Sequence, residues 1–452
     1  MKILIAGAGR IGSAVAAALA VEGHDITIIE QSQEVVSSVS NALDVITIVG
    51  SAANPETLQD AGAADADLVI AATQYDEINM ICGITAGKLG AKYVIARIRD
   101  PQYLASREFF HNSLGISMII NPEQACAAEI SRILRFPGAD QVDTFADGRV
   151  EMARVRIAED SELAGLSLKD LPSRYRAKVL VCIAERDGKA IIPNGDFVIT
   201  PNDRITIAGT PREMRRFFIP AGLYRRPIRS AMLMGGSRIA LYLARNMLDN
   251  NIDVTILERD RNRCDELSEQ VPGANIIWGD ASRTDILLEE GLAETDAFLS
   301  LSGDDGSNIV ASLSAKSCHV PKIITKINRT DLSEILAATG LEIIVNSREL
   351  VVEQITRCAR AMMESVGSSM ETLYRMADGK VEALEFLVNE DSRCADIRLR
   401  DLKLKPNVLI CAINRGGDIL IPGGNDRILP GDRVILVALT GRCSTLDDMM
   451  EN

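Results

Sequence analysis

A series of five sequence elements occurs twice in this chain, and that duplication limits its architecture more than any other feature. KILIAGAGRIG, DITIIE, ITIVGSAANPETLQDAG, LVIAATQYDEIN and YVIARIR open the chain. Near residue 229 the series restarts as SAMLMGGSRIA, DVTILE, IIWGDASRTDILLEEG, FLSLSGDDGSN and KIITKIN. Arg10 and Glu30 return as Arg238 and Glu258, each 228 residues on, while Gly50, Thr73 and Asn79 return as Gly279, Ser302 and Asn308, each 229 on. So constant an offset is the mark of a tandem repeat. The intervening segments repeat as well: Asp147-Gly148 as Asp378-Gly379, Ile192-Pro193 as Ile421-Pro422, and Pro201-Asn202-Asp203-Arg204 as Pro430-Gly431-Asp432-Arg433. The order is therefore an N-unit and a C-unit, twice.

Within each N-unit, short runs of Ile, Leu and Val alternate with helix-length amphipathic stretches, the pattern of a parallel sheet covered by helices on both faces. The expected fold class is α/β, with two doubly wound parallel-sheet Rossmann units, each followed by a small α/β domain. Helix starts are marked by Asn54-Pro55-Glu56 and Asn121-Pro122-Glu123, each offering a capping Asn, a first-turn Pro and an acid. The expected limits are 1–121, with a crossover helix to about 138, then 139–222, 229–348, with a crossover helix to about 366, and 367–452. Phe136-Pro137-Gly138 ends the first crossover helix. In the C-units, strand signals (VEMARVRI, KVLVCIAER, FVITPNDRITIAG) surround a short helix near Ser167 to Leu171 and no glycine-rich loop occurs, so packing or dimerisation is their expected role.

Composition narrows the partners. At 47% hydrophobic and 25% charged residues the chain is globular, and its net charge of −14 should be repelled by nucleic acid and by anionic lipid. A basic protein face is the better partner, and membrane proteins gather Lys and Arg on their cytoplasmic side. Nine scattered cysteines (82, 126, 182, 264, 318, 358, 394, 411 and 443) without a CxxC read as reduced core thiols and not as a metal site. The opening Met1-Lys2-Ile3-Leu4 reads as a strand rather than a signal peptide, and no apolar run has the length of a membrane span.

Gly7-Ala8-Gly9-Arg10-Ile11-Gly12 follows a strand and opens a helix, the context that gives a GxGxxG its meaning. The first glycine makes the turn, the second admits a pyrophosphate, and the third lets helix and strand pack, while the helix N-terminus supplies N–H groups. Glu30 ends the second strand, where an acid bonds ribose hydroxyls and repels a 2′-phosphate, which favours NAD(H) or an adenine nucleotide over NADP(H). Thr73, Gln74 and Arg97 stand at the carboxyl ends of the fourth and fifth strands, where open α/β sheets bind ligands. In the second copy, Gly235-Gly236-Ser237-Arg238-Ile239-Ala240 puts Ser237 and Ala240 in the places of Gly9 and Gly12, so its phosphate turn should be reshaped. Glu258, Ser302, Gly303 and Lys326 still mirror Glu30, Thr73, Gln74 and Arg97.

Catalytic groups are scarce. His24, His111 and His319 are the only histidines, and their places in turns and helix ends suit surface or capping roles. Gly303-Asp304-Asp305-Gly306 reads as a turn before it reads as a metal site, and there is no GxxxxGK[ST]. An NAD-dependent oxidoreductase is the competing reading, but it lacks a substrate domain and a catalytic constellation, whereas duplicated binding units suit a ligand sensor.

GAGRIG, ITIIE, VGSAANPETLQDAGAADADLVIAAT, YVIARIRDPQY and the return at 229 resemble the TrkA family, tandem RCK (KTN) proteins of bacterial Trk potassium uptake, along essentially the whole chain. The resemblance implies a non-catalytic, cytoplasmic, peripheral regulatory subunit that binds NAD(H), and ATP or ADP as well. It implies a homo-oligomeric RCK ring, dimer or tetramer, that controls a membrane potassium-translocating subunit of TrkH/TrkG type. Carried over by position, a first nucleotide site falls on Gly7, Ala8, Gly9, Arg10, Ile11, Glu30, Thr73, Gln74 and Arg97. A second falls on Gly235, Gly236, Ser237, Arg238, Ile239, Glu258, Ser302, Gly303 and Lys326. Asp280 follows the third-strand glycine in the second copy where the first has Ser51, so the two sites are expected to prefer different ligands.

Overall fold

In the computed structural model the first N-unit forms a six-stranded parallel sheet of β1 (Lys2–Ala6), β2 (Asp25–Glu30), β3 (Ile46–Val49), β4 (Leu68–Ala71), β5 (Tyr93–Arg97) and β6 (Met118–Ile120), in the order β3-β2-β1-β4-β5-β6. The structure describes residues 1–104, 107–136, 138–223, 227–329, 332, 336, 339–341, 343–364, 370–377, 379–439 and 446–451. Pro137, Asp378, Cys443 and the expected last turn of the second crossover helix, 365–366, lie outside the described residues. Side chains on both faces of β4 are buried, because helices cover the sheet on both sides, and this is why the strand reads as a continuous apolar run. Asn54 caps its helix through Oδ1, which accepts from the Glu56 N–H at 2.9 Å, and Asn121 does the same for the Gln124 N–H at 2.9 Å.

The first C-unit is an antiparallel sheet of β7 (Ala139–Phe145), β8 (Val150–Arg156), β9 (Leu180–Arg186), β10 (Lys189–Ile191) and β11 (Arg204–Gly209), in the order β10-β9-β11-β8-β7. The second N-unit repeats the parallel sheet with β12 (Ser230–Met234), β13 (Asp253–Glu258), β14 (Asn275–Trp278), β15 (Ala297–Ser300), β16 (Lys322–Lys326) and β17 (Ile344–Val345), ordered β14-β13-β12-β15-β16-β17. The second C-unit follows with β18 (Met370–Met376), β19 (Val381–Leu387), β20 (Val408–Arg415), β21 (Asp418–Leu420) and β22 (Arg433–Leu439), ordered β18-β19-β22-β20-β21. Two doubly wound α/β units with a small domain after each are the architecture expected from the repeat.

Three local readings change. Residues 139–145 form β7, paired along its length with β8, where the sequence marked only the end of a helix. The stretch 197–203 is a loop with a turn at Pro201-Asn202, touching Ser167 by a single bridge at Val198, and only Arg204–Gly209 joins the sheet. Its repeated Pro-x-Asp-Arg is a clamp: Asp203, 1% exposed, receives the Arg186 guanidinium in two bonds of 2.8 and 2.7 Å and the Thr200 N–H at 2.7 Å. Asp432 receives Arg415 at 2.8 and 2.8 Å in the same way. Asn202 and Gly431, with φ of 69° and 85°, take the left-handed turn that each clamp requires.

The chain divides into two compact units, each assembled from two stretches. One comprises residues 1–128 and 232–359, the other 129–231 and 360–452. In the second, the two C-unit sheets share a core in which Phe145, Met152 and Cys182 meet Val381, Ala383 and Cys411. At its rim the Arg149 guanidinium donates to the Gly417 carbonyl at 2.9 Å and the Lys380 ammonium to the Gly188 carbonyl at 2.9 Å, a reciprocal pair in corresponding turns. The packing role expected of the C-units is thus met inside one chain.

Burial pushes the Asp203 carboxyl up, but the Arg186 fork and the Thr200 N–H outweigh it and hold it below its usual range. A carboxyl depressed in the folded state stabilises above its unfolded value of about 3.9 and loses that contribution as the pH falls through the folded value. Asp203→Ala is expected to cost about 3 kcal/mol at neutral pH. Faster amide hydrogen exchange in β9 and β11 measures this, and the gap from the unsubstituted protein should close below about pH 4.

Candidate functional site

The parallel sheet places the turn after β1 where the chain leaves toward β2 on one side and β4 on the other, since β1 pairs in register with both. Gly7 has a φ of +97°, and a Cβ there would stand 3.0 Å from the Thr73 backbone, so glycine lets the turn lie against the end of β4. Gly9 starts the helix Arg10–Val21 with open space around it and no side chain to cap the free N–H groups. A Cβ on Gly12 would come 1.9 Å from the Gly7 carbonyl oxygen, which is the close helix-strand contact expected of a third glycine.

Glu30 makes main-chain bonds that its sequence does not announce. One carboxylate oxygen accepts from the Ala8 N–H at 2.8 Å, and the other from the Gln31 and Ser32 N–H groups at 2.7 and 3.1 Å. It therefore ties β2 to the glycine turn while facing the cavity. Ala8, buried beneath the turn, gives its N–H to Glu30 and does not line the cavity.

Asn79 was visible only as a repeated residue. Fully buried, it accepts from the Thr73 N–H and hydroxyl at 2.8 and 2.7 Å, and donates to the carbonyls of Thr73 and Arg97 at 3.1 and 2.8 Å. Asn308 makes the matching set with Ser302 and the Lys326 carbonyl. Asp76, also passed over, accepts from the N–H groups of Arg99 and Asp100 at 2.8 Å each, and Asp305 holds Asn328 in the same way. These four side chains lock the exits of strands four and five together in each copy. Asp304 caps the helix Asp305–Ser317 through the Ser307 N–H at 2.7 Å. Among the described residues no group of three potential ligands could hold a metal.

A cavity of about 850 Å³ opens over these exits, and it draws on both copies. The first contributes Gly7, Gly9, Arg10, Ile11, Glu30, Thr73, Gln74, Arg97, Arg99 and Glu123; the second contributes Ser237, Arg238, Ile239, Lys326, Asn328 and Arg348. Gly235, Gly236, Glu258, Ser302 and Gly303, expected in a second site, do not line it. Their turn is satisfied from within: Glu258 accepts from the Gly236 N–H at 2.5 Å, Arg263 donates to the Gly236 carbonyl at 2.7 Å, and the Ser237 hydroxyl takes the Ala240 N–H at 3.3 Å. Gly235 keeps its glycine conformation against Ser302, with a φ of +93°. Ser51 and Asp280 both receive an N–H two residues on, from Ala53 at 3.3 Å and Ser282 at 3.0 Å, so this difference leaves the local turn intact.

The charge is lopsided. Among the described residues Arg99 has Asp76 at 3.5 Å, but Arg10, Arg97, Arg238, Lys326 and Arg348 have no carboxylate within 4.0 Å. Lys326 is only 8% exposed, its ammonium rests on the Ser302 carbonyl at 3.0 Å, and burial pushes its pKa down. Burial, and then the neighbouring Arg99, lower the Arg97 guanidinium too, whose Nε is buried without a partner among the described residues. Desolvated cations without counterions are costly, and an anion in the cavity would relieve that cost. Arg99, Asn328, Arg348 and Glu123 had no motif to announce them.

The TrkA-N domain matches residues 3–122 and 231–347, and the TrkA-C domain residues 152–218 and 383–450. The Trk system potassium uptake protein TrkA homolog of Archaeoglobus fulgidus is 32% identical over 439 residues, covering 97% of this chain and 97% of its own. The Trk system potassium uptake protein TrkA of Haemophilus influenzae is 29% identical, covering 96% and 95%. The crystal structure of the GsuK RCK domain superposes with a TM-score of 0.63 at 17% identity, over 97% of this chain and 92% of its own. The GsuK channel bound to NAD gives 0.63 at 17%, over 97% and 77%. Fold and glycine turns define a tandem protein of RCK fold, with a Rossmann unit in each half. The chain belongs to the TrkA family of Trk-system potassium uptake proteins, a family of transport components and not of enzymes. Among the described residues no helix is long and apolar enough to cross a membrane.

Gly7→Ala forces a Cβ into a positive-φ turn against Thr73 and is expected to destabilise by about 1–3 kcal/mol. Gly9→Ala, with open space and a φ of −70°, should stay within about 0.5 kcal/mol of the unsubstituted protein. Urea unfolding followed by circular dichroism compares the two.

Proposed function

We propose that this chain is the cytoplasmic, peripheral regulatory subunit of a Trk-type potassium uptake system, and that NAD(H) or adenine nucleotides in the cavity over Gly7–Gly12 set the state of a TrkH/TrkG-type membrane partner. The carrying observation is the convergence of Arg10, Arg97, Arg238, Lys326 and Arg348, without carboxylate partners among the described residues, on an open helix N-terminus in a chain of net charge −14. Such a concentration of cations at a glycine turn suits a pyrophosphate. Support for the ligand class comes from the GsuK channel, which binds NAD on a similar fold. Gly7, Gly9, Arg10, Ile11, Glu30, Thr73, Gln74 and Arg97 make the first site, with Ala8 beneath them holding Glu30. Ser237, Arg238, Ile239 and Lys326 close its far wall, and the Ser237 hydroxyl on the Ala240 N–H, with Arg263 on the Gly236 carbonyl, makes the second copy the weaker binder.

A ligand touching both copies holds their Rossmann units in one arrangement, and its loss frees them, so occupancy becomes relative motion. Dimeric or tetrameric RCK assembly would pass that motion to the partner. The limits 1–121, 139–222, 229–348 and 367–452, with crossover helices to about 138 and 366, are the domain boundaries we assign.

Calorimetry with NAD⁺, NADH, ATP and ADP tests the site. Gly9→Asp places a carboxylate at the free N–H groups, and affinity is expected to fall about a hundredfold. Unchanged binding would refute the assignment. In vesicles carrying the membrane partner, nucleotide should alter potassium flux with the unsubstituted chain and not with Gly9→Asp.

A further inference from the structure

The helix Pro211–Phe218, which follows the last strand of the first C-unit, divides its two faces by chemistry. Thr210 caps it, its hydroxyl accepting from the Glu213 N–H at 3.4 Å, and Pro211 opens its first turn. Met214, Phe217 and Phe218, spaced for one side of a helix, are fully buried. Phe217 meets the Tyr175 ring edge-on at 5.1 Å, and Phe218 meets Phe136 at 5.5 Å. Arg212, Arg215 and Arg216 take the other side and are exposed. The Tyr175 contact brings in a segment whose Arg174, Arg176 and Lys178 are exposed as well, and the Lys178 N–H donates to Glu213 at 2.7 Å. Six cations thus gather where the two segments pack. Arg174 has Glu162 at 3.6 Å and Arg216 has Glu213 at 3.3 Å, but Arg176, Lys178, Arg212 and Arg215 have no carboxylate within 4.0 Å among the described residues. Just past the helix stand Ile219, 60% exposed, and the exposed Pro220. The second half follows its own last strand with Asp447, Asp448 and Glu451 instead, so this charge belongs to the first half alone.

We propose that this face of the first C-unit docks directly on the anionic headgroup surface of a lipid bilayer, with Ile219 entering the headgroup layer. Arginine and lysine side chains bond lipid phosphates, and an apolar side chain among them gains by leaving water at the same boundary. An acidic protein face would need a fixed carboxylate opposite each unpaired cation, whereas a fluid headgroup layer supplies a phosphate wherever a cation stands. The net charge of −14 opposes such a contact over the rest of the surface. Physiological salt screens that repulsion beyond about 8 Å, so the patch that touches the lipid decides the outcome. The same repulsion selects the orientation, because only a cationic face can approach. The contact is separate from the nucleotide cavity and from any made with a membrane protein.

Sedimentation of the full chain with vesicles of phosphatidylcholine, alone or with about a third phosphatidylglycerol, tests this surface. Binding is expected only with phosphatidylglycerol present, and it should be lost in about 0.5 M salt. Combining Arg212→Gln, Arg215→Gln and Arg216→Gln should weaken it about a hundredfold, near fivefold for each cation. Lysine at the same three positions keeps the charge and should retain binding, which separates loss of charge from loss of fold. Ile219→Ser should weaken it about fivefold. Lys403→Gln with Lys405→Gln, at exposed positions of the second C-unit, should leave it unchanged. Failure to bind phosphatidylglycerol vesicles, equal binding to neutral ones, or binding that survives the triple glutamine substitution overturns the proposal. Binding that appears only when a membrane protein is present in the vesicles overturns it too, and assigns the patch to a protein partner.

Discussion

Everything at the candidate site depends on β1 being paired in parallel on both edges. Because β2 and β4 lie on opposite sides of it, the chain must leave the sheet in two directions at the carboxyl end of β1, and a crevice opens where it does. Gly7 can make the turn only because it lacks a Cβ, and Glu30 then fastens the turn to β2 while Asn79 fastens β4 to β5. The crevice is tied together by its own side chains, and a site fixed in this way need not be ordered on binding.

On that scaffold the electrostatics run against the chain as a whole. An acidic protein spends much of its surface repelling anions, yet gathers five cations without carboxylate partners among the described residues in one concave place. Burial strengthens the charges of Lys326 and Arg97 relative to a charge on an open surface. Lys326 shows the tension most plainly, since the residue is almost wholly buried and its ammonium, among the described residues, rests on a single carbonyl.

The sheet class and the first glycine turn were legible because each has a signature within about 30 residues of sequence, and the repeat because its elements return at a near-constant offset. Glu30 was legible as important but not in its bonding, since an acid that could reach a ribose can also reach an N–H in its own turn. The short β6 and β17 and the strand β7 escaped notice, because three apolar residues after a loop, or polar alternation after a helix, have no clear period. Asn79 and Asp76 were hidden for another reason: buried polar residues are recognised by the carbonyls and N–H groups around them, which only the folded chain brings near. Arg348 and Glu123 are harder still. Nothing in either copy read alone says that the two copies line one cavity.

The shared core of the two C-unit sheets has a consequence for how such a molecule changes over time. Were the same contact made between identical chains, every mutation would strike both sides at once, and a cation could never stand opposite an acid at matching positions. Joining the halves in one polypeptide removes that symmetry and makes their pairing independent of protein concentration. Each half is then free to drift while its partner stays constant, so a turn such as Gly235–Ala240 can cease to resemble its twin as long as the core around Cys182 and Cys411 still closes. Tandem fusion thereby trades a symmetric oligomer for a lopsided one of fixed stoichiometry.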